Sequence, residues 1–164
     1  MTSDPIEILL AHHDWANRTL IERCKSLSRE QFHQKFPMGR GSLHDTIVHT
    51  ISATSAWTNM LMERPFEKRL EADPARTCEE ILTLHAETQD ALAVAARAKP
   101  LTDIAQGERA GRKYSFTRGG VLTHVFTHAM HHRAQALNML RQLGDEAPPD
   151  VSVLVWMLTK DTNA

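Results

Sequence analysis

The sequence predicts an all-α protein: a four-helix bundle with a long crossover link between the third and fourth helices and a short C-terminal helix. Three observations carry this expectation. Apolar residues recur at three- and four-residue spacings over four long segments. Each of those segments is preceded by a residue suited to capping a helix N-terminus. Strand-like alternation is confined to one short stretch. The 164 residues suit a single domain spanning 1–164, large enough to bury an ordinary core without staples.

The first helix opens on Asp4-Pro5-Ile6-Glu7, which supplies a cap, a proline at the first helical position and an acid in the first turn. Ile6, Leu10, His13, Asn17, Leu20, Cys24 and Leu27 then follow helical spacing to its expected end. A loop around Phe36–Gly41 precedes the second helix. There Ser42 with Asp45 forms a capping pattern, and Leu43, Ile47, Ile51, Thr54, Trp57 and Leu61 make the stripe. Pro65 to Pro74 reads as a charged connection. Thr77 and Glu80 form a capping box for the third helix, whose face carries Ile81, Leu82, His85, Leu92 and Ala96 before Pro100 ends it. From Leu101 to Phe116 the pattern weakens. Gly107, Gly111 and the alternation over Lys113–Phe116 indicate an irregular hairpin or loop. This link is long for a bundle with simple up-and-down connections, hence the crossover. Thr117 caps a fourth helix running to about Leu143, with Gly144 as its stop. Pro148-Pro149-Asp150 starts a short terminal helix through Trp156.

Composition excludes several classes of function. A net charge of −1 and the lack of any Lys/Arg run remove the electrostatic footprint of a nucleic-acid binder. No apolar stretch approaches the roughly 18 residues of a membrane span. The start, MTSDPIEILLAHHDW, is not that of a signal peptide. Cys24 and Cys78 are isolated and form no CxxC pattern, which suits a reduced compartment. A soluble cytoplasmic protein is expected.

The densest chemistry lies in THVFTHAMHHRAQ, where four of the ten histidines, His124, His128, His131 and His132, fall within nine residues. One ion cannot take all four. His124 and His132 are separated by about 12 Å along a helix axis, against zinc–nitrogen bonds of about 2.0–2.1 Å. Helical phase selects a pair. At about 100° per residue, His132 lies roughly 50° and His128 roughly 90° from the centre of the apolar face, whereas His124 and His131 point more than about 120° away. His128 and His132 therefore share the core edge, and His124 and His131 face solvent or a partner. A third ligand has to come from another helix. The candidates are His13, His44, His49 and His85, of which periodicity favours His13 and His85 because both lie on apolar stripes. His85 also suits a hydrogen-bonded core residue. His13 with Asn17 suits either a polar cavity or mutual hydrogen bonding. By composition alone Trp15, Trp57 and Trp156 suit the core, and Arg133 with Gln135 reads as polar helix surface.

The segments HHDWANRTLI, LHDTIVHTISATSAW and LTHVFTHAMHHRAQALNMLRQLG resemble the DinB-like family of metal-binding four-helix bundles, over about Ile6 to Leu158. Trp15-Ala16-Asn17, His49 eight residues before Trp57, and His128/His132 followed by Arg133 and Gln135 carry the likeness. Ala134 stands where the family commonly has glycine. The resemblance implies a metal site formed by His49, His128 and His132, holding a divalent ion such as zinc or nickel. It thereby replaces the third ligand that periodicity favours. It also implies a homodimer, with His124 and His131 at an interface or rim.

The family includes thiol-dependent transferases. The resemblance thus implies a metal-dependent thiol S-transferase that joins a low-molecular-weight thiol to a small electrophile, with His13, Asn17, His85 and Arg133 as substrate-pocket candidates. Arg133 would meet an anionic substrate or the carboxylate of the thiol. Two other readings compete. A metal-dependent hydrolase would use bound hydroxide, but Asp14 and Asp45, the acids adjacent to candidate histidines, do not share a helix face with them. A non-catalytic, stress-associated metal-binding dimer would need a closed four-ligand site, with His13 as the route to it.

Overall fold

In the computed structural model, which describes residues 2–65, 69–72, 75–109 and 111–161, each long helix starts at the cap that the sequence offers. Asp4 accepts from the Ile6 amide at the start of α1 (Pro5–Cys24). Ser42 accepts from the Asp45 amide to open α3 (Leu43–Leu61). Thr77 and Glu80 form the reciprocal capping box of α4 (Cys78–Arg97). Thr117 accepts from the Gly120 amide to open α5 (Arg118–Gln142).

The end of α1 and both ends of the terminal helix, which runs past Trp156 to Asp161, differ from expectation. α1 stops at Cys24 rather than Leu27, because Ser28 and Gln31 build a second capping box that starts a five-residue helix, α2 (Arg29–His33). The terminal helix α6 (Val153–Asp161) starts later than Pro148–Asp150. The prolines lack amide donors and hold their predecessors extended, so the Asp150 carboxylate accepts from the Ser152 amide and the helix follows. Within the expected charged connection, Leu70–Ala72 make one 3-10 turn. Phe66, Glu67, Lys68, Asp73 and Pro74 lie outside the described residues.

α1 packs against α4 and α5, and α3 packs against the same two helices. α1 and α3 therefore occupy one diagonal of the bundle and α4 and α5 the other. The link from α4 to α5 must cross the end of the bundle, as its length predicts. It does so as an antiparallel hairpin, β1 (Ile104–Arg109) with β2 (Arg112–Thr117), in which Gly107 faces Tyr114 and Gly111 turns at φ +74°. The hairpin folds back on α3 and α5. Its end is anchored by Arg118, which is buried and donates to the carbonyls of Leu61 and Ala95, the last turns of α3 and α4. A cation there complements the negative ends of both helix dipoles.

The interior is layered. One apolar cluster holds Ile21, Leu43, Ile47, Ile81, Met139 and Leu140. The other holds Leu10, Leu61, Leu92, Leu122 and Val125. Between them each long helix passes through a polar belt: His13 and Asn17 on α1, Thr54 on α3, His85 and Gln89 on α4, and His132 and Arg133 on α5, all buried. Burying so many polar groups is tolerable only if they bond to one another or to something else. No helix of the described residues is long and apolar enough to cross a membrane.

Candidate metal centre

His49 on α3 meets His128 and His132, one turn apart on α5, along the seam between those helices. One ring nitrogen from each lies within 4.8 Å of the others, and no other histidine, cysteine or acid among the described residues joins the group. Ring centroids are 5.3 Å apart for His49–His128, 4.8 Å for His49–His132 and 4.5 Å for His128–His132. Small rotations of the side chains would bring the three nitrogens onto one ion.

Second partners fix which nitrogen is free. The Nδ1 of His49 lies 2.7 Å from the Glu71 carboxylate. Burial works to raise the Glu71 pKa, but hydrogen bonds from Ser52 and His49 prevail and hold it below the ordinary value. An ionised carboxylate can only accept, so Nδ1 donates and, in the neutral ring that a metal binds, Nε2 carries the lone pair. In the same way His132 Nδ1 donates to Gln135 Oε1 at 2.8 Å, while the Gln135 amide nitrogen donates to His131 Nε2 at 3.1 Å. Such outer partners are what orient and tune metal-binding imidazoles. Burial, and after it the neighbouring His132 and His49 rings, push the His128 pKa down to about 4. Burial likewise lowers that of His132. Neutral imidazoles are the form a divalent ion takes. The donor set fits one.

Beside the triad opens a pocket of about 370 Å³, walled by Trp57 of α3, Tyr114 and Phe116 of the hairpin, and His124 of α5, with Ser52 and Arg69 at its edge. The crossover link thus supplies one wall of the site. His124 is exposed, as its phase predicts, and packs edge-on to Trp57 at 4.8 Å. His131 is exposed too. Trp156 is buried in the core as expected, whereas Trp57 is only half-buried and lines this pocket.

The four residues expected to line a substrate pocket lie elsewhere. Arg133 donates to Asn17 Oδ1 at 3.2 Å, and Asn17 donates to His13 Nε2 at 3.1 Å, joining α5 to α1. His85 bonds Asp14 across the α1–α4 seam at 3.0 Å. Asp14 therefore serves a histidine of another helix and not its sequence neighbour. Asp45 does bond its neighbour, His44, at 2.9 Å, and His44 Nε2 accepts from the Arg76 amide, so both nitrogens of His44 are engaged. Of the four, only Asn17 and Arg133 approach the triad, across a void of about 10 Å³ beside His132 that is too small for a substrate.

Arg133 is buried rather than surface-exposed, and burial drops its pKa to about 10. Sequence reasoning missed Glu71 and Gln135 as the groups that orient the ligands. Gln135 was visible as the residue three after His132, the spacing at which helical side chains meet. Glu71 had no such signal.

Residues 2–159 match the family model of the DinB family. A crystal structure of a DinB-like protein from Bacillus cereus ATCC 10987 is similar in fold, with a TM-score of 0.67 over 87% of this chain and 92% of that one. The two are 18% identical, so the likeness is one of fold alone. No curated protein matches the chain.

Proposed function

The chain belongs to the DinB family, and on that premise we propose that it is a divalent-metal-binding protein whose His49–His128–His132 centre serves a thiol S-transferase. The observation that carries the reading is three imidazole donors converging beside an open pocket of about 370 Å³, with no fourth protein donor among the described residues. A bound zinc or nickel ion would thus keep one or more exchangeable positions, where it would hold a low-molecular-weight thiol as thiolate.

The chain's own residues do the rest. Glu71 and Gln135 keep the ligand tautomers fixed. Trp57, Tyr114 and Phe116 supply apolar walls for an electrophile, and Arg69 supplies a cation at the rim. His124 stands one turn from His128 with its ring in the pocket, placed to take up the thiol proton. The sulfur then bonds to the electrophilic carbon as the leaving group departs with its electron pair.

Hydrolysis has less support. No Asp or Glu lines the pocket among the described residues, and Glu71 is committed to His49. A closed structural site through His13 also has less support, since His13 bonds Asn17 instead of joining the triad. Pairing of two copies belongs to the same proposal. Size-exclusion chromatography with light scattering should give twice the chain mass.

The decisive experiment incubates metal-replete protein with a panel of bacterial thiols and a chlorinated aromatic electrophile. A conjugate that needs both metal and His49 is expected. Failure to form one with any thiol would remove the transferase reading while leaving metal binding to its own test.

A further inference from the structure

Arg133 is 95% withdrawn from solvent, at 5% exposure, and among the described residues no carboxylate pairs with it. Among the described residues its one acceptor is Asn17 Oδ1. A guanidinium has five N–H donors and keeps its charge, so a single neutral acceptor leaves it donors to offer a further acceptor. The acceptor it lacks has somewhere to sit. Arg133 lines a pocket of about 190 Å³ between α1, α5 and the start of α6, whose other walls include Leu9, Phe126, Met130, Val153 and His13. Its bond to Asn17 brings the cationic head against α1, the helix that supplies the Leu9, His12 and His13 wall of that pocket.

His13, in the same wall, also holds a buried donor without a partner. Arg133 can only donate, so its bond fixes Asn17 with Oδ1 toward Arg133 and Nδ2 toward His13 Nε2. His13 Nε2 is then the acceptor, the proton sits on Nδ1, and Nδ1 is buried with no partner. This pocket is not the metal pocket. At about 100° per residue, Thr123, Phe126, Thr127, Met130 and Arg133 fill an arc of roughly 120° on α5, centred about 160° from the arc of His124, His128 and His132.

We propose that this pocket is a second ligand site that takes a small carboxylate with a short apolar chain or ring, its carboxylate on Arg133 and its apolar part against Leu9, Phe126, Met130 and Val153. An anion there supplies the charge that the fold leaves uncompensated, and a guanidinium matches a carboxylate with two parallel bonds. The inference does not rest on the transferase reading.

Calorimetric titration with hexanoate and with its neutral counterpart hexanamide tests it, on the wild-type protein and on His49→Ala, Arg133→Met and Thr127→Trp. His49→Ala closes the route by which a carboxylate could bind a metal ion. Thr127→Trp fills the mouth of the pocket from an exposed position, and serves alone if Arg133→Met does not fold. Hexanoate should bind wild type and His49→Ala alike, and hexanamide should bind at least about tenfold more weakly. Thr127→Trp and Arg133→Met should each weaken hexanoate at least about tenfold. The proposal is overturned by hexanoate that does not bind wild type, by equal binding of hexanamide, by loss of binding in His49→Ala, or by unchanged binding in Thr127→Trp.

Discussion

The α3–α5 seam and the α1–α4 seam both bury histidines near the middle of the same bundle, yet they leave them in different chemical states. On the first, His49 and His132 spend Nδ1 on Glu71 and Gln135, and one nitrogen from each of the three rings converges beside a pocket. On the second, His85 bonds Asp14, while His13 accepts from an Asn17 that is itself bonded to Arg133. The difference teaches that burial alone does not make a histidine a ligand. What decides is whether outer partners turn the lone pairs toward one another or consume them. The first cluster leaves a donor set that fits an ion, and the second ties helices together.

Four measurements break or sharpen that contrast, from the largest expected effect to the smallest. His49→Ala and His132→Ala should each weaken metal binding by more than the roughly 100-fold that loss of an outer partner brings. His85→Ala should keep the wild-type metal-to-protein ratio by elemental analysis. Retention of stoichiometric metal by both triad variants would sink the site.

Asn17→Ala acts in the opposite sense. It strands Arg133 and His13 Nε2 at about 1–3 kcal/mol each, for a loss of about 2–6 kcal/mol in urea unfolding of the metal-free protein. His49→Ala should cost about 1 kcal/mol in that form, and equal losses would erase the distinction. Glu71→Gln should lower metal affinity by about 10- to 100-fold with little change in metal-free stability. A loss of fold instead would make Glu71 a structural residue.

The smallest effect is on pH dependence. Burial, followed by the nearby Arg133, holds the His13 pKa well below its ordinary value, and burial holds that of His128 at about 4. The unfolded chain takes up protons near pH 6.5 that the fold refuses, so metal-free stability should fall as pH drops from about 6.5 toward 4 and stay level above. His128→Gln should flatten part of that slope and leave His13's share. An unchanged slope would mean that His128 is protonated in the folded protein.

Much of the site was legible residue by residue. The phase of α5 separated His128 and His132 from His124 and His131, and the observed burial follows that order, with His132 at 8% exposure, His128 half-buried and the other two exposed. His85 as a hydrogen-bonded core residue and His13 paired with Asn17 were also open to a reading from the stripe. His49 was not, because it lies off the main stripe of α3, on the flank that meets α5. Only its resemblance to a family pattern singled it out. The same limit hid Arg133, whose neighbours in sequence are polar but whose neighbours in space are α1 and α6.

Sequence by itself determined the helices, their caps and the pair of histidines on one helix face, because each depends on contacts within a few residues along the chain. Which of His13, His44, His49 and His85 stands beside His128 and His132 was decided by tertiary structure. Diagonal packing sets α3 against α5, and Glu71, 22 residues from His49, fixes the free nitrogen. Those relations join positions with no common local period. Only the closed bundle, with its hairpin folded back across the end, brings them within reach of one ion.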